Sequence, residues 1–343
     1  MTHYPLAFFG FGSVGRALAR LLLRKQSVLQ ADYGITFSVV AIRTGAHGSA
    51  INPAGIALET ALQIAESQGN FSTLSALPIP AEPAEFLRVS GARVLFENTP
   101  VNYQTGEPAV SHLRAALTQG IHAITANKGP VVHAYHALKA LATQHGAQFY
   151  FESTVMDGCP VFSLFRGSLP AANLLRFKAV LNSTTNLILS RMESGESFDD
   201  AVGYAQSIGI AETDPSGDID GWDAAIKVSA LATVLMDLPL QPAQVDRTGI
   251  RDITPQMVAH AKANGTRYKL ICTAERTANG IAARVAPELV TVDSPFYGVQ
   301  GTTSLAQFET DVLGKLTLIE EDPGPHTTAY GLLADFINAV TGK

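Results

Sequence analysis

The sequence predicts an α/β protein: a doubly wound parallel-sheet domain over residues 1–150, followed by a mixed α+β domain over residues 151–325. Three observations predict it. The chain has 343 residues, enough for two domains at ~150 residues each. In the first half, short β-rich runs alternate with helix-period segments, which right-handed crossovers convert into a parallel sheet covered on both faces. Beyond about Ser153 the alternation stops and a different pattern begins.

The elements follow in order. LAFF, from Leu6 to Phe9, is the first strand, and Ser13 to Leu29 places Val14, Ala17, Leu18, Leu21, Leu22 and Val28 at helical spacing to pack on it. Further strands are expected at Ile35 to Ile42, Ala92 to Glu97, Ile121 to Thr125 and Gln148 to Glu152, with helices over Pro108 to Thr118 and Val131 to Gln144. Gly45 to Gly55 and Pro78 to Pro83 read as loops. In the second half Phe177 to Asn182 is strand-like, and three helical segments follow near Thr185 to Glu193, Phe198 to Ser207 and Asp220 to Met236. Asn279-Gly280 predicts a hairpin, because that dipeptide tolerates the positive φ of a type I′ turn. The final helical pattern, over 326–343, is expected to return to the first domain.

Composition narrows the function. Lys and Arg total 24 against 30 Asp and Glu, a net charge of −6, and the basic residues are scattered. A polyanion partner needs clustered cations that displace counterions, so nucleic acid is not expected. Charged residues make up 16%, compared with about 25% in an average globular domain, which calls for large cores extended by burial between subunits. Leu6 to Leu23 is apolar, but Arg16 and Arg20 lie inside it and no Lys or Arg precedes it, the wrong order for an export signal. With no run of about 18 uncharged apolar residues, a membrane-free cytoplasmic protein is expected. Cys159 and Cys272 lie far apart and outside metal-ligand spacing, and His133 and His136 lack an acidic or cysteine complement.

GFGSVG follows the first strand and opens the first helix. Gly10 serves the tight turn, Gly12 the close approach of a pyrophosphate, and Gly15 the helix–sheet contact, a Rossmann-like dinucleotide site in which Phe11, Ser13 and Val14 complete the loop. The second strand ends in Ile42 and then Arg43, where an acidic partner for an NAD ribose would stand. A guanidinium can pair with a 2′-phosphate, so NADP is expected to be preferred over NAD, unless Arg43 is simply a solvated loop residue. Lys128 follows the strand ending at Thr125, and Asn98 and Thr99 follow the one ending at Glu97, both at strand ends where ligands bind in such sheets. Thr99 reads equally well as a helix cap.

The densest cluster is GIAETDPSGDIDGWDAAIKVSALA, from Gly209 to Ala232, with Glu212, Asp214, Asp218, Asp220 and Asp223. Asp223 and Lys227 are i and i+4 on one helix and share a face. Such pairs are ordinarily solvated. Here apolar neighbours bury part of the helix, and a partly desolvated lysine held by a carboxylate can exchange a proton, so both readings stand.

These segments resemble homoserine dehydrogenase over nearly the whole chain: FFGFGSVG, FENTPVNYQTGEP, GIHAITANKGP, FESTVMDGCPV, NSTTNLIL, the acidic block with its E-x-D-P-x-x-D-x-x-G-x-D-x-x-x-K spacing, and TAYGLLADF. The resemblance implies interconversion of homoserine and aspartate 4-semialdehyde with NADP or NAD, in the route to threonine and methionine. It implies Lys227 as the proton-transferring residue, Asp223 orienting it, and Glu212 and Asp218 on the substrate ammonium. Lys128 would lie near nicotinamide and substrate, Ser183 and Thr184 on a substrate-contacting loop, and Gly324 among the cofactor contacts. Glu152 and the carbonyls of Val155, Asp157 and Cys159 would hold a sodium or potassium ion. Met156, Asp157, Ser183, Ile210 and the PGPHTTA run depart from the family pattern. The resemblance further implies a homodimer through the second domain. No C-terminal ACT domain follows, so threonine feedback through one is not expected. The alternatives are a dehydrogenase of a related amino acid or aldehyde, and a non-catalytic NADP sensor.

Overall fold

A computed structural model describes residues 1–342, and the chain divides into two compact units, Met1–Ser163 with the C-terminal segment from Gly324, and Leu164–Pro323. The boundary falls later than the expected residue 150. The reason is local: the Glu152 amide donates to Asp335 Oδ2 at 2.7 Å and the Ser153 hydroxyl to the Thr328 carbonyl at 2.7 Å, tying this stretch to the C-terminal helix Pro325–Thr341. That helix places Leu332, Leu333 and Phe336 in one core with Leu6, Phe8 and Phe96, all in the first unit. Lys343, the last residue of the expected helix, lies outside the described residues.

The first unit is built from β1 (Thr2–Phe9), α1 (Ser13–Tyr33), β2 (Ile35–Arg43), β3 (Ser49–Ile56), α2 (Leu58–Glu66), α3 (Pro83–Ser90), β4 (Val94–Glu97), α4 (Ala109–Thr118), β5 (His122–Thr125), α5 (Lys128–His133), α6 (Tyr135–Gln144) and β6 (Phe149–Tyr150). Its sheet has the order β3-β2-β1-β4-β5-β6. The central strands are parallel, and Leu6 to Phe9 are fully buried, as expected of a strand covered on both faces. Part of the stretch expected as a loop, Gly45–Gly55, is the strand β3, paired antiparallel to β2 with Ile42 opposite Ala50. Pro53 hid it from the pattern, but proline is tolerated on an edge strand. The single helix expected over Val131–Gln144 is two helices, broken at Ala134.

The second unit contains β7 (Leu174–Val180), α7 (Ser183–Glu193), α8 (Phe198–Ser207), the short α9 (Ser216–Ile219), α10 (Trp222–Leu235), β8 (Asp246–Arg247), α11 (Pro255–Ala263), β9 (Thr266–Thr277), β10 (Gly280–Thr291), β11 (Ser304–Thr310) and β12 (Gly314–Glu320). The sheet order is β12-β11-β7-β9-β10-β8, antiparallel except for the β8–β10 pair. The hairpin falls where Asn279-Gly280 predicts it, with Gly280 at φ +123°. Among the described residues no helix is long and apolar enough to cross a membrane.

Candidate active site

In the first unit the three glycines do different work. A side chain on Gly10, at φ +87°, would sit 2.6 Å from the Asn98 carbonyl carbon, and one on Gly15 would sit 2.8 Å from the Gly10 oxygen. A side chain on Gly12 would meet nothing within 4 Å. Gly12 is also the N-cap of α1, with no side-chain cap and no acidic residue in the first turn. Open space above an uncapped helix start, where amide groups lack intrahelical partners, fits an anionic pyrophosphate. Ser13 and Val14 form that first turn. Phe11 is a core residue, edge-on to Phe8 and Phe71, so only its backbone faces the turn.

Asn98, beyond β4, has both amide atoms buried without a partner, a state a protein tolerates where a ligand supplies the bonds. Thr99 caps no helix; its hydroxyl donates to the Glu97 carboxylate. Lys128 opens α5 directly after Asn127, whose side chain caps that helix by accepting from the Gly129 amide at 3.0 Å. Arg43 is not a solvated loop residue. Its guanidinium donates to the Pro80 and Ala81 carbonyls at 3.3 and 2.7 Å and packs over the rings of Phe9 and Phe86, beside Glu82. Gly324 contributes no unpaired amide either, because its N–H donates to Asp157 Oδ2 at 2.6 Å.

The loop expected to hold an ion is tied down by its own side chains. The Glu152 oxygens accept from the amides of Phe162 and Ser163 at 2.6 and 2.7 Å, and Asp157 Oδ2 caps the C-terminal helix through Gly324 and Thr327. Val155 is buried and Cys159 half-buried. Among the described residues no group of three or more His, Cys, Asp or Glu is placed to hold a metal ion.

The second unit gathers the acidic block into a cluster. Lys227 Nζ lies 3.1 Å from Asp223 Oδ2, both side chains nearly buried, and donates to the Leu181 carbonyl at 2.6 Å. Asn182 spans the two acids: its Nδ2 donates to Asp218 Oδ1 at 2.6 Å and to Asp223 Oδ2 at 3.0 Å, while its oxygen accepts from the Thr185 amide at 2.8 Å. Thr184 lies beside Asp218, its hydroxyl donating to the Ile210 carbonyl at 3.3 Å. Burial, and then the Asp223 charge, push the Asp218 carboxyl above its ordinary range, against the pull of Asn182, Thr184 and Lys227. The turn carrying Asp218 is held from behind, where a side chain on Gly249 would sit 2.6 Å from the Asp220 Cα and the Ile250 amide bonds the Ile219 carbonyl at 2.9 Å. Burial drives the Cys272 thiol up to about 12, so it is no nucleophile.

The fold brings Lys227, Asp223, Asp218 and Thr184 together. Ser183 is half-buried at the start of α7, and Glu212 is on an exposed stretch with no bond to the cluster. The residue missed by sequence reasoning is Asn182. Its only signal was an Asn just before a helical pattern, which reads as an N-cap, and it does cap α7.

A dinucleotide turn with an open glycine, and a buried lysine–carboxylate cluster able to move a proton, define an NAD(P)-dependent oxidoreductase acting on a CH–OH group. Comparison with known proteins narrows this. Residues 10–152 match the model of the homoserine dehydrogenase NAD-binding domain, and residues 160–337 that of homoserine dehydrogenase. The chain is 35% identical to an NAD(+)-dependent homoserine dehydrogenase from Pseudomonas canavaninivorans over 98% of its own length and 96% of the relative. It is also 35% identical to a homoserine dehydrogenase from Methanocaldococcus jannaschii, covering 96% of each. A hyperthermophilic archaeal homoserine dehydrogenase in complex with NADPH superposes with a TM-score of 0.83 at 31% identity, covering 100% of this chain and 99% of that one. The chain belongs to the homoserine dehydrogenase family.

Proposed function

We propose that the protein interconverts L-homoserine and L-aspartate 4-semialdehyde, and that Lys227 moves the proton at the substrate's side-chain oxygen. The observation that carries this is the nearly buried Lys227 held between Asp223 and the Leu181 carbonyl. Bound nicotinamide supplies the hydride chemistry at the carbon bearing that oxygen. In oxidation Lys227 accepts the hydroxyl proton, and in reduction it protonates the nascent alkoxide, the point at which charge develops. Asp223 orients the lysine. Asp218 meets the substrate ammonium, with the exposed Glu212 as a second carboxylate for it, and Ser183 and Thr184 contact the amino acid from the first turn of α7. The test is absorbance of reduced nicotinamide when the protein meets homoserine with NADP or NAD; absence of any signal from protein that binds NADPH removes homoserine as the substrate.

For the cofactor, the glycine turn takes the pyrophosphate, Asn98 offers its unpartnered amide, and Lys128, opening α5 beyond β5, is a further cofactor contact. Two of the five guanidinium donors of Arg43 serve the fold. An NADP preference is proposed on the donors of Arg43 that remain; a lower KM for NAD assigns Arg43 to the fold alone. Gly12→Val should cost about 1 kcal/mol of stability, the preference of an N-cap for glycine over an aliphatic side chain, since a Cβ there meets nothing within 4 Å. It should weaken NADPH binding about 100-fold, a loss of ~2.7 kcal/mol, by filling the pyrophosphate approach. Gly10→Ala should instead lower Tm, since its Cβ strikes backbone.

A monovalent cation on the carbonyls of Val155, Asp157 and Cys159 would add to the amide bonds of Glu152 rather than replace them. Titrating potassium against choline tests it: activity that saturates with potassium supports the ion, and a flat response removes it. A homodimer through the second unit accords with its exposed Val292, Val312, Leu313 and Ile319. Sedimentation at twice the chain mass would support it. A cytoplasmic setting rests on Arg16 and Arg20 inside the apolar stretch Leu6 to Leu23, an order unlike an export signal.

A further inference from the structure

We propose that Glu97 and Thr125 are positioning residues for the cofactor: they close a hydrogen-bonded ring that locks the loops beyond β4 and β5 into one arrangement. The proposal rests on the cofactor reading above. Both residues end their strands and both are fully buried, so neither touches a ligand; they act through Asn98 and Lys128, which follow them in the chain.

The neighbouring strand shows what packing alone would select. β1 ends in Phe9, fully buried like Glu97 and apolar. At the same edge of the sheet β4 carries a carboxylate, a group whose burial is unfavourable unless donors surround it. Donors do surround it. Glu97 Oε1 accepts from the Thr99 amide at 3.2 Å and from the Thr99 hydroxyl, with His112 Nδ1 at 3.5 Å, and Oε2 lies 3.2 Å from the Thr125 hydroxyl.

Thr125 passes the restraint to the second loop. Its hydroxyl donates to the Glu97 main-chain oxygen at 2.8 Å and accepts from the Asn127 amide at 2.9 Å. Asn127 closes the ring by donating from Nδ2 to the Thr99 carbonyl at 2.9 Å, while its Oδ1 holds the Gly129 amide. Two contacts brace the ring from outside. The Gly10 turn packs on the backbone of Asn98 and Thr99, and Gly106 and Gly129 approach so closely that a side chain on either would lie within 2.9 Å of the other's backbone. Asn98 is thereby anchored on both sides, through Glu97 and Thr99, with its own amide left unpartnered. Lys128 is anchored between Asn127 and Gly129. The hydrogen bonds give what apolar packing does not, a fixed direction for each loop.

The test is a fluorescence titration of the full-length protein with NADPH and with NADH in the absence of homoserine, alongside thermal melts. Thr125→Val keeps the shape and removes the shared hydroxyl, and the Kd should rise about tenfold. Thr125→Ser restores the hydroxyl and should return the Kd to within about twofold of wild type. Glu97→Gln keeps the size and an acceptor for Thr99, and should stay within about threefold. A Thr125→Val protein with lowered Tm but a Kd within twofold of wild type would make the ring purely structural and overturn the proposal. Equal weakening by Val and Ser would also overturn it, as a packing defect. Wild-type protein that binds neither cofactor would instead remove the cofactor reading on which it stands.

Discussion

Lys227→Met should lower kcat about 1,000-fold while the Kd for NADPH stays within about twofold, within the 10²–10⁴ span of general acid–base catalysis. Methionine approximates the length and apolar stem of lysine, so the substitution tests the ammonium and little else. Lys227 is a second-unit residue paired with Asp223 and the Leu181 carbonyl, whereas the glycine turn belongs to the first unit. A proton-transfer role thus predicts loss in the chemical step with cofactor affinity retained. The variant removes the partner of a nearly buried carboxylate, so some stability will go with it, and the melt of each preparation must accompany the kinetics. Equal loss of turnover and NADPH affinity would reassign Lys227 to structure.

Asn182→Leu should cut kcat/KM for homoserine roughly 50-fold at neutral pH, the size expected when charge-assisted bonds worth about 1.5–3 kcal/mol are removed from a buried site. Its Nδ2 is shared by two carboxylates that otherwise face each other. The pH dependence gives the sharper reading. Burial and the charge of Asp223 hold the Asp218 carboxyl above the ordinary carboxylate range, so the anion proposed to meet the substrate ammonium is lost as pH falls through that raised value. The acid limb of kcat/KM should therefore lie above an ordinary aspartate's. Asn182 opposes the shift by bonding to the charged form, so without it the limb should move higher still. An acid limb unmoved in the variant would show that Asp218 does not govern substrate binding.

Much of this was legible because it is local. The glycine spacing, the i, i+4 relation of Asp223 and Lys227, the helix Phe198–Ser207 and the hairpin at Asn279-Gly280 each depend on neighbours a few residues away. The edge strand β3 was hidden because its identity comes from pairing with β2 rather than from its own Pro-interrupted pattern. Arg43 read along the chain as a 2′-phosphate partner or a solvated loop residue; the fold wraps Phe9, Phe86 and the carbonyls of Pro80 and Ala81 around it, partners 34 to 43 residues away.

By itself the sequence determined the class of fold, the place of the dinucleotide turn and the lysine–acid pair, since periodicity and short spacings are properties of the chain. Only the tertiary structure decided that Asn182 bridges Asp218 and Asp223 across 36 and 41 residues, that Glu97 meets Thr125 across 28, and that Glu152 is tied to Asp335 across 183. A buried polar group must find partners wherever the fold brings them, and no pattern along the chain encodes which distant donor will arrive.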